Sequence, residues 1–137
     1  MRFVDTNILL YSLSFEPENS RKAAIVIRLL GCTDLVLSVQ VLQEFYVQAT
    51  RASRPDRLEH SQAVSFIQKW LRFRVQDNTL SVLQTALRLK ESCPISYWDA
   101  CILAAAQAAK CRELLTEDLR HGQDYGGIRV VNPFLSS

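Results

Sequence analysis

The feature that most restricts the fold of this chain is an alternation of short apolar segments with longer helical ones. The predicted strands are Arg2–Val4, Leu35–Ser38, residues 73–75, Glu113–Leu115 and Ile128–Val131. The predicted helices cover residues 9–12, 18–30, 39–50, 56–70, 78–92 and 97–109. Such alternation is typical of an α/β fold, and we predict a three-layer sandwich whose central, mostly parallel sheet of about five strands is flanked by helices.

Two predicted helices carry apolar residues at spacings that suggest one buried face. In the second helix these residues are Ala23, Ala24, Ile27 and Leu30, and in the fourth they are Leu58, Ala63, Phe66, Ile67 and Trp70. Ser38 is placed to cap the third helix, and Gly31 follows the end of the second.

The composition fits one packed domain that spans residues 1–137. Apolar residues make up 48% of the chain and charged residues 22%, with only four Gly and four Pro. The apolar runs are shorter than the roughly 20 residues that span a bilayer, and a strand follows Met1 at once, so we expect neither a membrane segment nor a signal peptide. The four cysteines form no C-x-x-C pair, which favours reduced thiols over a zinc site and suggests a cytoplasmic protein.

Acidic residues occur where the predicted strands end. Asp5 follows the first strand, the second leads into the helix that carries Glu44, and Asp118 follows Glu113–Leu115. Asp99 lies in the first turn of the helix that begins after Pro94. Because ligands of parallel sheets bind outside the carboxyl ends of the strands, we expect these four carboxylates to converge on one crevice.

Each acid also has a purely structural interpretation. Asp5 fits a helix cap, Asp99 fits a capping box with Ser96, and Asp118 fits a turn before Gly122. Glu44 follows apolar residues within its helix, where a solvated face is less obvious. Taken singly these interpretations are favoured, and the predicted topology that brings all four together favours a common site.

Four carboxylates in one crevice repel each other unless a divalent cation neutralises them, and ligation by oxygen alone favours Mg²⁺ or Mn²⁺. Such sites commonly serve phosphoryl chemistry. The net charge of +2 comes from 16 basic and 14 acidic residues, so removing four clustered acids leaves 16 against 10, which suits a polyanionic ligand without proving one. The sequence has no Gly-rich phosphate loop and no recognisable nucleophile–histidine pair.

Five segments in order along the chain resemble the PIN-domain ribonucleases. They are Phe3-Val4-Asp5-Thr6-Asn7, the helix with Glu44 after Ser38, Ser96-Tyr97-Trp98-Asp99-Ala100, Leu115-Thr116-Glu117-Asp118-Leu119 and Val131-Asn132-Pro133-Phe134. Within that family the chain looks most like the VapC-type toxins of toxin–antitoxin pairs. The resemblance rests on the ordered set, since no single motif is specific.

The resemblance implies that Asp5, Glu44, Asp99 and Asp118 form a catalytic Mg²⁺ or Mn²⁺ site, supported by Thr6, Asn7 and Thr116. The place of Asp124 in the motif is ambiguous. The implied reaction is endonucleolytic cleavage of single-stranded or looped RNA by a metal-activated water. The implied partners are the RNA substrate, a second copy of the chain and a small antitoxin that covers the active-site groove.

Other roles remain open for several residues. Phe45, Val64, Phe66 and Trp70 fit the core better than an antitoxin-binding face. The arginines at positions 51, 54, 57, 72 and 74 fit an RNA path and an ordinary solvated surface about equally well.

Three alternative functions are weighed against the metal nuclease. A haloacid-dehalogenase-type phosphatase requires D-x-D after the first strand, and Asn7 stands where its second acid belongs. A non-catalytic RNA- or protein-binding scaffold is less favoured because all four acids are present. A nuclease of RNA maturation without a toxin role differs only in its biological effect.

Overall fold

A computed structural model describes residues 1–135 and contains one six-stranded sheet. The strands are β1 (Arg2–Val4), β2 (Leu35–Ser38), β3 (Arg74–Gln76), β4 (Glu113–Leu115), β5 (Asp124–Tyr125) and β6 (Ile128–Val131). Their spatial order is β3-β2-β1-β4-β6-β5, and every pairing is parallel except that between β5 and β6. The predicted α/β class is confirmed, with one more strand than expected. The extra strand, β5, has only two residues, which is too short to show an apolar pattern.

Six α-helices flank the sheet. They are α1 (Thr6–Tyr11), α2 (Ser20–Leu29), α3 (Val39–Ala49), α4 (His60–Trp70), α5 (Leu80–Ser92) and α6 (Tyr97–Ala108), and a short 3₁₀ turn, Pro17–Asn19, precedes α2. Hydroxyl side chains accept a hydrogen bond from a backbone N–H at the start of α3, α5 and α6. These caps, Ser38, Thr79 and Ser96, satisfy N–H groups that have no partner inside the helix.

Four helices begin away from their predicted starts, although α2 and α5 do so by only two residues. Helix α1 begins at Thr6 rather than residue 9, because the Asp5 carboxylate caps it. Helix α4 begins at His60 rather than residue 56, because Glu59 and Gln62 form a capping box there. The residues before this box form turns, in which Arg54 pairs with Asp56.

The predicted buried face of α2 was wrong in part. Ala23 is buried, but Ala24 is exposed and Ile27 is 61% exposed, whereas Val26 is fully buried. In α4 Ala63 and Trp70 are buried as expected, while Phe66 and Ile67 are only partly buried, as is Leu58 before the helix begins.

The core lies around β1, β2, β4 and helix α6. The seven consecutive residues 100–106 of α6 are all buried, and the small side chains of its alanines allow close packing against α5 and the sheet. The Phe45 and Trp70 rings pack with their centroids 4.6 Å apart, so the core role expected for this pair is confirmed. Phe66 is half-buried with its ring near both of them, and Val64 is half-buried. No helix within the described residues is both long enough and apolar enough to cross a membrane.

The topology determines where a ligand site belongs. Strand β1 lies between β2 and β4, so the chain leaves β1 toward one side of the sheet and later adds β4 on the other. In sheets of this type the crevice for ligands opens at such a switch point, outside the carboxyl ends of the strands. Asp5 and Thr116 directly follow β1 and β4 at that edge.

Candidate metal centre

The deepest acid of the site is Asp5, which is only 5% exposed. Its Oδ1 accepts the Thr6 N–H at 2.7 Å, which is the cap of α1, and its Oδ2 accepts the Thr116 hydroxyl at 2.9 Å. Thr116 is fully buried at the end of β4. The structural and functional interpretations of Asp5 are therefore compatible, since one oxygen caps the helix while the other faces the neighbouring strand.

Asn7 links the ends of β1 and β4. Its Nδ2 atom lies 3.3 Å from Asp5 Oδ2, 3.1 Å from Thr116 Oγ1 and 2.8 Å from Asp118 Oδ2. The Asp118 backbone N–H donates to Thr116 Oγ1 at 3.1 Å, which holds the turn after β4. The amide of Asn7 therefore supplies the N–H groups that separate two carboxylates in this arrangement.

Glu44 reaches the same crevice from α3. Its Oε2 accepts the Thr6 hydroxyl at 3.2 Å, and its Oε1 accepts Gln40 Nε2 at 2.6 Å. Gln40 is 9% exposed and also donates to the Trp98 carbonyl oxygen at 3.4 Å, which connects α3 to α6. Sequence reasoning missed Gln40, although its position one helical turn before Glu44 is the spacing at which two side chains meet.

Asp99 enters from the first turn of α6. The Ser96 hydroxyl accepts the Asp99 backbone N–H at 3.1 Å, so the capping role of Ser96 is confirmed. Asp99 is half-buried, like Glu44, whereas Asp118 is exposed. The crevice therefore runs from a closed end at Asp5 to an open end at Asp118.

The charges of these acids influence each other. Burial raises the pKa of Asp5 to about 7, the Thr116 and Thr6 hydrogen bonds oppose this rise, and the charges of Asp118 and Glu44 add to it. Burial likewise raises the pKa of Asp99, with further contributions from Asp118 and Glu44. Asp118 and Glu44 thus act on both of the other acids, which links the four carboxylates electrostatically.

The donor set fits a hard divalent cation. All four carboxylates offer oxygen only, which Mg²⁺ and Mn²⁺ prefer. A cation would stabilise the ionised forms of Asp5 and Asp99, which burial and, to a lesser extent, the charges of Asp118 and Glu44 disfavour. As arranged, no three His, Cys, Asp or Glu side chains among residues 1–135 converge closely enough to complete an ion site. The Asn7 amide bridges Asp5 and Asp118 instead, so binding an ion between them requires that side chain to release a hydrogen bond.

Asp124 is placed elsewhere. It belongs to β5, and its Oδ1 accepts the Gly127 N–H at 2.9 Å within the β5–β6 hairpin. Glu117 lies between Thr116 and Asp118 but its side chain points toward α1 and α2, where it hydrogen-bonds the Tyr11 hydroxyl and accepts from Lys22 Nζ at 2.9 Å.

The arginines considered above for an RNA path lie at two different edges of the sheet. They are Arg51, Arg54, Arg57, Arg72 and Arg74. Arg72 donates to the Leu30 carbonyl oxygen and Arg74 to that of Ala109, and both acceptors precede strands, at the edge opposite the acids. An RNA path that includes these two and reaches the acids is therefore not supported. Arg51, Arg54 and Arg57 lie in the loop between α3 and α4, where Arg54 donates to the Leu10 carbonyl oxygen of α1.

Solved structures share this fold. A structure of FitAB bound to a DNA fragment has a TM-score of 0.73 at 20% identity, covering 100% of this chain and 98% of that one. A toxin–antitoxin complex from Klebsiella pneumoniae has a TM-score of 0.67 at 23% identity, covering 98% of each chain. VapC20 of Mycobacterium tuberculosis, described as a toxin that cleaves the sarcin–ricin loop, has a TM-score of 0.65 at 19% identity, covering 86% of this chain and 92% of its own.

Identities this low establish the fold alone, and no curated protein sequence matches the chain significantly. The sequence pattern of the PIN domain, however, matches residues 2–123, which is most of the chain and includes Asp5, Glu44, Asp99 and Asp118. The protein belongs to the PIN-domain family.

Proposed function

We propose that this protein is a Mg²⁺- or Mn²⁺-dependent endoribonuclease that cleaves single-stranded or looped RNA with a water nucleophile. The observation that carries the proposal is the crevice formed by Asp5, Glu44, Asp99 and Asp118 at the switch point of a PIN-domain sheet. Carboxylates arranged in this way suit phosphodiester hydrolysis. A cation that they hold would bind the phosphate group, and this phosphate is the group that reacts.

Each residue of the chain has a defined task in this proposal. Asp5, Glu44, Asp99 and Asp118 would hold the cation, which when bound polarises a phosphate oxygen and lowers the pKa of a water molecule. Thr116 fixes Asp5 through its hydroxyl, and Gln40 and Thr6 fix Glu44. Asn7 bridges Asp5 and Asp118 before a cation binds and would release one of these hydrogen bonds when it does. Fixed carboxylates need little reorganisation when charge develops on the phosphate.

The testing experiment is cleavage of a mixed pool of structured and unstructured RNA with Mn²⁺, using wild-type protein and Asp99→Asn in parallel. We expect the substitution to reduce cleavage by at least about 100-fold, because loss of one ligand carboxylate weakens both metal binding and charge stabilisation. EDTA should abolish cleavage by the wild type.

Asp118→Asn and Asp124→Asn form a matched pair for the same assay. The first removes an acid of the crevice and should lose activity, whereas Asn at position 124 retains an oxygen that accepts the Gly127 N–H and should leave cleavage unchanged. Equal cleavage by the wild type and Asp99→Asn, or cleavage that persists in EDTA, would contradict the proposal.

We further propose that the protein is the toxin of a toxin–antitoxin pair and acts in the cytoplasm with a small antitoxin as partner. The support is the likeness to structures described as toxin–antitoxin complexes, including VapBC of Salmonella typhimurium bound to DNA. A homodimer is part of this proposal, and a solution mass equal to the 15.6 kDa of one chain would contradict it.

Two alternatives remain distinct from the toxin. A nuclease of RNA maturation would cleave RNA without arresting growth. A non-catalytic scaffold would bind RNA or protein without cleavage, and the presence of all four acids argues against it, because an unused cluster of repelling carboxylates only destabilises the fold.

A further inference from the structure

A cavity of about 290 Å³ lies beside the acids, along α1. Asn7 forms part of its wall and also contacts Asp5 and Asp118, so the cavity and the crevice share a side chain. The other walls come from the end of α1 at Tyr11, from Ser14 and Glu16, and from Arg54 and Asp56 in the loop between α3 and α4. A ligand that extends from the acids past Asn7 would therefore meet this cavity.

Arg54 and Asp56 give the cavity a fixed pattern of donors and acceptors. Arg54 Nε lies 2.7 Å from Asp56 Oδ1, and the two side chains are only 22% and 15% exposed. The guanidinium also donates to the Leu10 carbonyl oxygen at 3.3 Å, while its buried Nε–H has no aligned acceptor among the described residues. Since a guanidinium carries five N–H donors, further donors remain for a ligand, and a carboxylate accepts beside them.

The wall at Tyr11 is rigidly held. The Tyr11 hydroxyl hydrogen-bonds Glu117, and its ring contacts Phe134 at a centroid distance of 5.2 Å and Lys22 Nζ at 4.8 Å. A fixed aromatic side chain beside polar groups is the kind of surface that receives unstacked RNA bases.

The charges in the cavity select the part of a nucleotide that fits. A phosphate would approach the carboxylates of Asp56 and Glu16 as well as Arg54, whereas a base is uncharged and presents both donors and acceptors. The exposed Arg51 and Arg57 in the same loop are placed outside, where they can attract the backbone phosphates.

We propose that this cavity binds one unstacked base of the RNA next to the cleaved bond, and that Arg54 and Asp56 read its edge. The inference rests on the proposed ribonuclease function, but it assigns a base-recognition role that the metal chemistry does not require. It predicts that cleavage prefers one base at one position close to the cut.

The test is selection of bound sequences from a random single-stranded RNA pool in EDTA, so that binding is measured without hydrolysis. We expect the wild type to enrich one base at one position, and Asp56→Asn to change that preference by about tenfold, because an acceptor becomes a donor. Glu91→Gln, on the exposed end of α5, is the matched control and should behave like the wild type. Ser14→Leu, which fills the cavity, should abolish the preference and covers the case in which Asp56→Asn does not fold.

The outcomes separate this inference from the proposed function. An identical preference in the wild type, Asp56→Asn and Ser14→Leu, or no preference in the wild type, overturns the inference even if RNA is cleaved with Mn²⁺. A preference that changes as expected, without any cleavage, supports the cavity and overturns the nuclease. A third outcome is that the wild type binds a hexa-arginine peptide, that Ser14→Leu abolishes this binding, and that RNA selection stays unchanged. The cavity would then receive a basic protein segment, which also overturns the inference.

Discussion

Asp5 combines two roles that usually conflict in one side chain. It caps α1 through Oδ1, which requires a fixed position, and it is buried beside other acids, which makes its ionised form costly. The Thr116 hydroxyl and the Asn7 amide stabilise that ionised form without removing the cost, since the pKa of Asp5 remains raised. The fold therefore holds a carboxyl group whose ionised form is less stable than in water, a cost that a bound cation would offset under the proposed function.

A pH dependence of stability follows for the metal-free protein. The pKa of Asp5 is about 7 in the folded protein and 3.8 in the unfolded chain. Between about pH 4 and pH 7 the carboxyl of Asp5 is ionised in the unfolded chain but still protonated in the folded protein, so the free energy of unfolding falls as pH rises across this range. We expect the free energy of unfolding in EDTA to be lower at pH 8 than at pH 5 by up to about 3 kcal/mol, as measured by urea unfolding.

Asp5→Asn is the variant that tests the origin of this slope. The amide keeps an oxygen for the Thr6 N–H but carries no proton that titrates, so the variant should fold, show a flatter profile and be at least as stable as the wild type at pH 8. If the free energy of unfolding falls with pH equally in the two proteins, groups other than Asp5 cause the pH dependence. If the variant is unfolded at both pH values, the role of Asp5 is chiefly structural.

At the scale of elements, the hairpin between β5 and β6 has two glycines with different surroundings. Gly126 and Gly127 have φ values of 60° and 91°, which residues other than glycine rarely adopt. A Cβ atom at Gly126 would lie 2.4 Å from Gln107 Nε2, which donates to the Gly126 carbonyl oxygen, whereas nothing lies within 4 Å of one at Gly127.

Gly126→Ala should therefore destabilise the protein more than Gly127→Ala. Both lose the freedom of glycine, and only the first must displace Gln107 and its hydrogen bond, for an additional cost of about 1 kcal/mol. Urea unfolding of the two variants measures the difference. An equal or reversed order would show that Gln107 moves aside without cost.

The elements also show how much of the fold was predictable. The strands β1, β2, β4 and β6 were predicted with their observed bounds, because each is a short, mostly apolar segment that ends at or just before a polar residue. The caps at Ser38 and Ser96 were predicted correctly because their signal is local in sequence. The face of α2 was not, because Val26 and Ile27 are equally apolar and only the tertiary packing decides which is buried.

The site was predictable only as a hypothesis. The order of strands and acids predicts that Asp5, Glu44, Asp99 and Asp118 lie near each other, and their joint role as a metal site stays a prediction. Sequence alone did not identify Gln40, which depends on a contact between α3 and α6, or the cavity beside Asn7, which depends on the position of α1 relative to the loop before α4. The division of the arginines between two edges likewise required the sheet order.

At the scale of the whole molecule, the toxin proposal makes a separate prediction. Induced expression in a bacterial host should arrest growth, and expression of Asp99→Asn to the same level should not, because arrest would depend on RNA cleavage. Colony counts after induction measure the effect. Normal growth with an active wild-type enzyme would leave a ribonuclease without the toxin role, and equal arrest by both proteins would disconnect arrest from the acids.

The central position of β1 determines when, during synthesis of the chain, the acidic crevice can assemble. Its partner β4 begins more than a hundred residues later, at Glu113, and Thr116 and Asp118 follow it. Because a chain is synthesised from its amino terminus, Asp5 and Glu44 leave the ribosome long before the residues that complete their surroundings. A nascent chain therefore lacks the assembled crevice until β4 and the residues after it have been synthesised, so under the proposed function cleavage of RNA close to the ribosome has to wait for them.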